Sequence, residues 1–415
     1  LPAAEFVDQP HPKRKLRVHV HEDMDALGFG VDLGLLPRDD VTLKVKCYEW
    51  ARPAAYPRAI GDYGTDQSLV FSQEATRVKK AMGCHYTSDD LSLQYVSNGV
   101  FDVPVFSDLL NSDRRCTAIY FSDDMCLRVL VGNGVNLYNV DISACDASHT
   151  SFIVNCVHHL IKGIFDTRHL KVLRNRLKIK YGHNHRVYIE PKDILMYSGT
   201  TWTTIMNNVA SCLIVSAIYD MLERQNYIYV DSDIVKCVER IGYKIKLQRC
   251  STVQQLQFLK CSPTAHGEPF VNPSCLMRSL GCSDGSTLGK LTTHRMNTRV
   301  SSVIKGFPQD TGPISAAFRR LGERLSTHDT TEIITKEYIG KSRTITEVTM
   351  DDLVNRYDCS PSLIEDFCSE IDKMSGRQIL CHPFVYLCLY VDYGFDLPGE
   401  YAWLNSELGG DIPVH

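Results

Sequence analysis

Residues 117–146 read TAIYFSDDMCLRVLVGNGVNLYNVDISACD. Thr117–Phe121, Met125–Val131 and Val135–Ile142 are three short apolar runs, each the length of a strand. Gly132-Asn133-Gly134 separates the second from the third and is a strong tight-turn signal. The stretch therefore predicts strand, turn, strand, turn, strand. Asp123 and Asp124 then lie at the tip of a hairpin. Asp141 lies at the end of a strand, with Asp146 five residues on.

Two strand-end carboxylate sets that face each other are what a two-metal phosphoryl-transfer site needs. Hard Mg²⁺ or Mn²⁺ ions want oxygen ligands and take few of them from protein. Two ions about 4 Å apart hold an attacking and a leaving oxygen in line. An isolated Asp-Asp pair is more often a solvated turn. The strand context and the helix that follows weigh against that reading here.

Working outward, residues 197–211 read YSGTTWTTIMNNVAS and open a long, mostly buried helix over 199–222. Gly199 lets the backbone bend sharply before the helix, and Ser198 suits the N-cap region. Thr203 and Asn207 are four apart and share a helix face. An asparagine on a buried face requires hydrogen-bond partners. A second helix is expected over 232–242 and a short strand over Tyr243–Leu247. Beyond Ser262 the chain becomes loop-rich and then helical, with helix starts at Thr349-x-x-Asp352 and Ser360-Pro361. Residues 1–40 carry no clean period, and no internal repeat is evident.

With 415 residues, 44% hydrophobic and 23% charged, the chain suits two or three packed subdomains. It opens at Leu1, not Met, which suggests a fragment of a polyprotein or a trimmed chain. The net charge of -4 disfavours a uniformly basic nucleic-acid binder, but a polymerase with a basic channel is compatible with it. No continuous apolar run reaches the roughly 18 residues of a membrane span, so no intrinsic membrane segment is expected. The sixteen cysteines are scattered without a CxxC pair. Cys381-His382 with Cys388 is a weak zinc candidate, and reduced, buried cysteines are the expectation.

These motifs resemble those of viral RNA-dependent RNA polymerases. SGTTWTTIMNN is similar to motif B, SGxxxTxxxN, and is the most specific match. DISACD resembles motif A, and SDD resembles motif C, usually GDD. VKCYEWARPAAYPRAIGDYG resembles the basic motif F, placed at 44–64. ERIGYKIKL and LQFLKC look like motifs D and E. The usual order is F, A, B, C, D, E. Here SDD precedes DISACD, an order that resembles the permuted polymerases of permutotetraviruses and, more distantly, birnaviruses. YVDSDIV at 228–234, with Asp231 and Asp233, is the competing motif C. The permutation is physically simple, because antiparallel neighbours are joined by a tight turn, and Gly132–Gly134 supplies one.

The resemblance implies an α/β cupped right hand, with an antiparallel palm sheet on a permuted ferredoxin-like core, fingers, and a helical thumb. It implies fingers over 1–116, palm over 117–261 (with part of 151–197 belonging to the fingers) and thumb over 262–415. Asp123 and Asp141 are the implied principal ligands of two Mg²⁺ or Mn²⁺ ions, with Asp124 secondary and the Ile142 carbonyl completing a sphere. Asp146 with Asn207, aided by Thr203, is implied to sense the ribose 2′-OH; a reverse transcriptase favours a bulky aromatic at the Asp146 position. Ser198 and Gly199 would sit near the template base. Arg58, with Lys46 and Arg52, would hold the NTP triphosphate. Lys246, with Lys244 next, would protonate pyrophosphate. Arg77, Lys79 and Lys80 would line the template path, and Phe258-Leu259-Lys260 would touch the primer strand. The implied partners are template and nascent RNA, NTPs and other viral replication proteins, in the host cytoplasm or virion. The rivals are a reverse transcriptase and a catalytically dead palm that serves as an RNA-binding scaffold.

Overall fold

A computed structural model of the chain describes residues 42–47, 59–62, 65–82, 85–97, 99–167, 170, 178–181, 187–189, 199–281, 292–327, 345–376, 378, 380–395, 397, 399–401 and 404. The structure is mixed α/β, with a six-stranded, mostly antiparallel sheet and twelve α-helices among the described residues.

Strands β1 (Thr42–Cys47) and β2 (Ala59–Asp62) precede β3 (His85–Thr87) and β4 (Leu91–Tyr95). The three apolar runs form β5 (Cys116–Phe121), β6 (Asp124–Val131) and β7 (Gly134–Ile142). They are followed by β8 (Lys178–Tyr181), β9 (Val187–Ile189) and β10 (Ile245–Cys250). The large sheet has the order β10-β7-β6-β5-β4-β3, so β5, β6 and β7 are a meander in which consecutive strands are neighbours. Gly132 has φ +54° and Asn133 does not share the positive φ. A positive φ at the first central residue alone belongs to the II′ class of hairpin turn, where glycine is favoured. The sheet departs from the expected antiparallel form at one place. β4 and β5 are parallel, with Leu91 opposite Cys116 and Tyr95 opposite Tyr120. Parallel neighbours need a crossover, and residues 96–115 provide it. A smaller sheet has the order β2-β1-β8-β9. Its β1–β2 pair brings Lys46 opposite Ile60, inside the motif F-like segment.

Backbone contacts divide the chain into two compact units. One comprises Leu1–Ser97, Arg114–Met125 and Val140–Leu247, the other Asn98–Asp113, Cys126–Asn139 and Gln248–His415. In chain order the first helices are α1 (Thr65–Ala81), α2 (Val105–Leu110), α3 (Cys145–Ser148), α4 (Ser151–Ile161), α5 (Thr203–Arg224) and α6 (Asp231–Arg240). All but α2 belong to the first unit. Helix α5 is its centre and packs on α1, α3, α4, α6 and β5. It is long and apolar enough to cross a bilayer, but two thirds of its apolar window is buried within the fold. A helix that is hydrophobic all round is a core helix when it is enclosed in this way. Its first helical residue is Thr203, four later than the sequence predicts. Residues 199–202 form a turn instead, and Thr200 Oγ1 accepts from the Thr203 N–H at 3.1 Å. Thr200 thus supplies a side-chain start signal, and Ser198, where the sequence places one, lies outside the described residues.

The second unit is a helical cluster. A hairpin of β11 (Cys261–Pro263) and β12 (Pro269–Val271) leads into α7 (Pro273–Gly281), α8 (Thr293–Gly306) and α9 (Pro313–Arg324). Helices α10 (Met350–Tyr357), α11 (Pro361–Lys373) and α12 (Pro383–Tyr393) follow. Phe318, Phe367 and Phe384 are at the heart of the core, with Phe318 edge-on to Phe367 at 6.2 Å. The predicted helix starts are where the sequence puts them. Thr349 Oγ1 accepts from Asp352 N, Asp352 Oδ2 accepts from Thr349 N, and Ser360 caps a helix that begins at Pro361. No disulfide joins the described cysteines. The Cys381-His382-Cys388 zinc candidate does not assemble. Cys381 is exposed, Cys388 is fully buried, and His382 is hydrogen-bonded to Asp366 and caps α12.

Candidate active site

The site is built on the turn between β5 and β6. Ser122 and Asp123 are its two central residues, and Asp124 begins β6. Ser122 has φ +56°, a left-handed conformation that costs a non-glycine residue on the order of 1 kcal/mol or more. Three hydrogen bonds from α5 hold it there. Its N–H donates to Asn208 Oδ1 at 2.6 Å, its Oγ accepts from Asn207 Nδ2 at 3.1 Å, and its carbonyl accepts from Ser211 Oγ at 2.5 Å. Thr203, Asn207 and Ser211 follow one another at four-residue spacing and form one polar stripe on a largely apolar helix.

The second acidic stretch reaches the same place. Asp141 is near the end of β7 and exposed, and Ile142 beside it is buried. Ala144 then takes φ +47° and starts the short helix α3, which carries Cys145 and Asp146. This second left-handed residue is braced by Ser148, whose Oγ donates to the carbonyls of Ser143 and Ala144. Ser143 N also donates to Lys244 O at 2.8 Å, which ties the loop to the chain just before β10.

Asn207 joins the two stretches. Its Nδ2 donates both to Asp146 Oδ1 at 3.2 Å and to Ser122 Oγ at 3.1 Å. Its Oδ1 contacts His149 Nε2 at 2.6 Å and accepts from Cys145 Sγ at 3.4 Å. His149 Nδ1 in turn meets Tyr243 OH at 3.2 Å. Burial pushes the Cys145 thiol well above its ordinary range, and the charges of Asp123, Asp146 and Asp141 push it further. Carboxylates from both acidic stretches therefore share one neighbourhood. Burial lowers the His149 imidazole, although its Asn207 hydrogen bond and the nearby carboxylates oppose the shift.

Two donor sets coexist here. Asp123, Asp124 and Asp141 offer only hard oxygens, which suit Mg²⁺ or Mn²⁺. Cys145, Asp146 and His149 could also hold an ion, since their ligand atoms all lie within 4.8 Å of one another. That mixed set suits a softer transition metal. All three of its members are already bonded to the Asn207 amide, and Cys145 and His149 are buried. Asp123 and Asp141 are exposed.

Thr203 Oγ1 pairs with Thr200 Oγ1 at 3.1 Å. Gly199 has φ +120°, the bend its glycine allows. Lys244 and Lys246 are exposed and flank buried Ile245. In α1, Arg77 pairs with Glu74 at 2.9 Å and lies 5.9 Å from the Phe165 ring, and Lys79 and Lys80 occupy the last turn. Within the second unit, Leu259 and Lys260 both have positive φ between Phe258 and Cys261, a tight reversal of type I′ character. Phe258 is buried, and Lys260 Nζ donates to the Asp392 carbonyl and sits over the Tyr393 ring. The Lys260 ammonium is thus engaged by its own chain. Lys46 is in β1 but its side chain is not described, and Arg52, Arg58 and Ser198 lie outside the described residues.

The competing acidic pair does not form a hairpin. Asp231 and Asp233 are in the first turn of α6, and Asp233 Oδ2 accepts from Val230 N at 3.1 Å. Sequence reasoning passed over His149, Tyr243, Asn208 and Ser211. The Asn207-Asn208 doublet with Ser211 one turn later was the readable sign of a polar stripe, and His149 follows Asp146 by three residues. No protein-family model matches this chain, and no curated protein matches it.

Proposed function

We infer that the chain is an RNA-dependent RNA polymerase of a positive-strand-type RNA virus, with motif C placed ahead of motifs A and B in a cupped right-hand architecture. The observation that carries the reading is the Asn207 amide, which bridges Asp146 of one acidic stretch and Ser122 of the other. One helix residue thus links all three of the segments that resemble motifs A, B and C. The hairpin at Ser122-Asp123 and the helical start at Asp231 favour SDD over YVDSDIV as motif C.

The proposed reaction joins an NTP to an RNA 3′-end. The 3′-oxygen attacks the α-phosphorus, a P–O bond forms, the bond to the pyrophosphate oxygen breaks, and the 3′-hydroxyl proton passes to solvent water. Asp123, Asp141 and Asp124 would hold Mg²⁺ or Mn²⁺, which when bound offsets charge on the entering and leaving oxygens. Positioning does most of the remaining work. Asp146 can accept from a 2′-hydroxyl, and Asn207, whose two Nδ2 protons go to Asp146 and Ser122, orients that carboxylate toward it. Lys246, with Lys244 as the alternative, would give a proton to pyrophosphate. Template and nascent RNA, NTPs and other viral replication proteins are the proposed partners, in the host cytoplasm.

The test is incorporation of labelled ribonucleotides on a primed RNA template with Mg²⁺ or Mn²⁺. Asp123→Ala and Asp141→Ala are expected to abolish it and Asp231→Ala to leave it intact. Loss in Asp231→Ala with retention in Asp123→Ala would return the motifs to their ordinary order. RNA binding without synthesis by the wild type would support a scaffold, and a preference for deoxynucleotides a reverse transcriptase.

A further inference from the structure

We propose that His149, held from behind by Tyr243, fixes the Asn207 amide and so sets the discrimination between ribonucleotides and deoxyribonucleotides; this rests on the polymerase reading.

The argument runs through donors and acceptors. The Asp146 carboxylate can only accept, so the Asn207 atom 3.2 Å from it must be Nδ2. The amide oxygen then faces His149 Nε2 at 2.6 Å. An amide oxygen only accepts, so Nε2 carries the proton. In a neutral ring Nδ1 is then an acceptor, and the Tyr243 hydroxyl donates to it at 3.2 Å. The chain Tyr243, His149, Asn207, Asp146 therefore has one direction of donation throughout.

Reversing the amide breaks it at both ends. The amide oxygen would face the Asp146 carboxylate, and the NH₂ would face the Nε2–H. All of Asn207, His149 and Tyr243 are at most 5% exposed, so water is poorly placed to repair either clash. His149 touches neither substrate nor metal in this scheme and is a positioning residue. Its function is to keep Nδ2, and not the amide oxygen, toward Asp146, and so to hold the carboxylate that accepts from the 2′-hydroxyl.

The experiment measures kcat/KM for an NTP and for the matching 2′-deoxy-NTP on one primed RNA template. The variants are His149→Ala, His149→Gln and Tyr243→Phe. The ratio of the two efficiencies is expected to fall on the order of tenfold in His149→Ala, the worth of a buried hydrogen bond lost. His149→Gln keeps a side-chain N–H donor and is expected to restore most of the ratio. Tyr243→Phe is expected to fall between. A merely structural role would lower both efficiencies together and leave the ratio unchanged, which would overturn the proposal even for a poorly folded His149→Ala, as would failure of His149→Gln to recover. If the wild type discriminates but the ratio ignores His149, this inference alone fails. If the wild type makes no template-directed product, the polymerase reading fails and this inference with it.

Discussion

The backbone N–H of Ser122 donates to the side-chain carbonyl of Asn208 over 2.6 Å, between residues 86 apart in the chain. The bond fastens the tip of an acidic hairpin to the first turns of a core helix. It lies on a residue whose φ is unfavourable for a serine, so the helix holds the turn in a shape that its own sequence resists.

Removing that brace should be costly. Asn208→Ala is expected to destabilise the protein by about 1–2 kcal/mol, because the half-buried Ser122 N–H loses its partner. Added to a Ser122→Gly background the same change should cost less, since glycine adopts positive φ without help. Urea unfolding of the two singles and the double reads the coupling directly.

Metal binding should separate the two donor sets. Manganese binding followed by calorimetry is expected to be lost in Asp123→Ala and Asp141→Ala and little changed in Cys145→Ala. The opposite pattern would assign the ion to Cys145, Asp146 and His149.

Within the helical unit, Arg356 and Asp392 form a fully buried ion pair at 2.8 Å. Arg356 also donates to the carbonyls of Gln254, Gln255 and Leu256, and Asp392 accepts from Ser274 and Tyr357. Asp392→Ala would leave an uncompensated buried guanidinium and should cost about 3–5 kcal/mol. Replacing both partners by apolar residues should cost less than the sum of the single changes, as measured by chemical denaturation.

Asp310 should give the stability a pH dependence of unusual sign. Burial pushes its carboxyl up to about 6, against the Gly312 N–H and Arg319, which act to lower it. The folded state then binds more protons than the unfolded state between the unfolded value near 4 and about 6. Asp310 therefore makes stability fall as pH rises through that window, by up to about 3 kcal/mol, and the penalty is fully present above it. Asp310→Asn keeps an acceptor for Gly312 N–H, which now donates to Asp310 Oδ1 at 2.7 Å. The variant should be more stable than wild type at pH 7.5, and the difference should shrink at pH 4.5.

Much of this fold was legible because the signals were local. The Gly132-Asn133 turn, the three apolar runs and the Thr349 and Ser360 caps each depend on a few adjacent residues. The pairing of Asp146 with Asn207 was implied by the motif resemblance, while residue chemistry alone required only that an asparagine facing inward from a core helix find some partner. The start of α5 was misplaced because Ser-Gly and Thr both suit a helix entry, and side-chain bonding between Thr200 and Thr203 decided it. His149 and Tyr243 were invisible for another reason. They meet across 94 residues, and nothing in either local sequence points to the other. The parallel pairing of β4 with β5 is likewise a long-range choice that strand patterns do not encode.

The meander of β5, β6 and β7 has a consequence for the order in which the molecule assembles. Asp123 is in the turn that leads into β6, Asp141 is near the end of β7, and one tight turn joins those two strands, so their approach closes only a short loop. Contacts of low sequence separation form early and at small entropic cost. On a growing chain this acidic hairpin pair can be complete before residue 203 has left the ribosome. Helix α5 arrives later and finds the carboxylates already in register. Its polar stripe then acts as a clasp, converting a locally formed and strained turn into a fixed one.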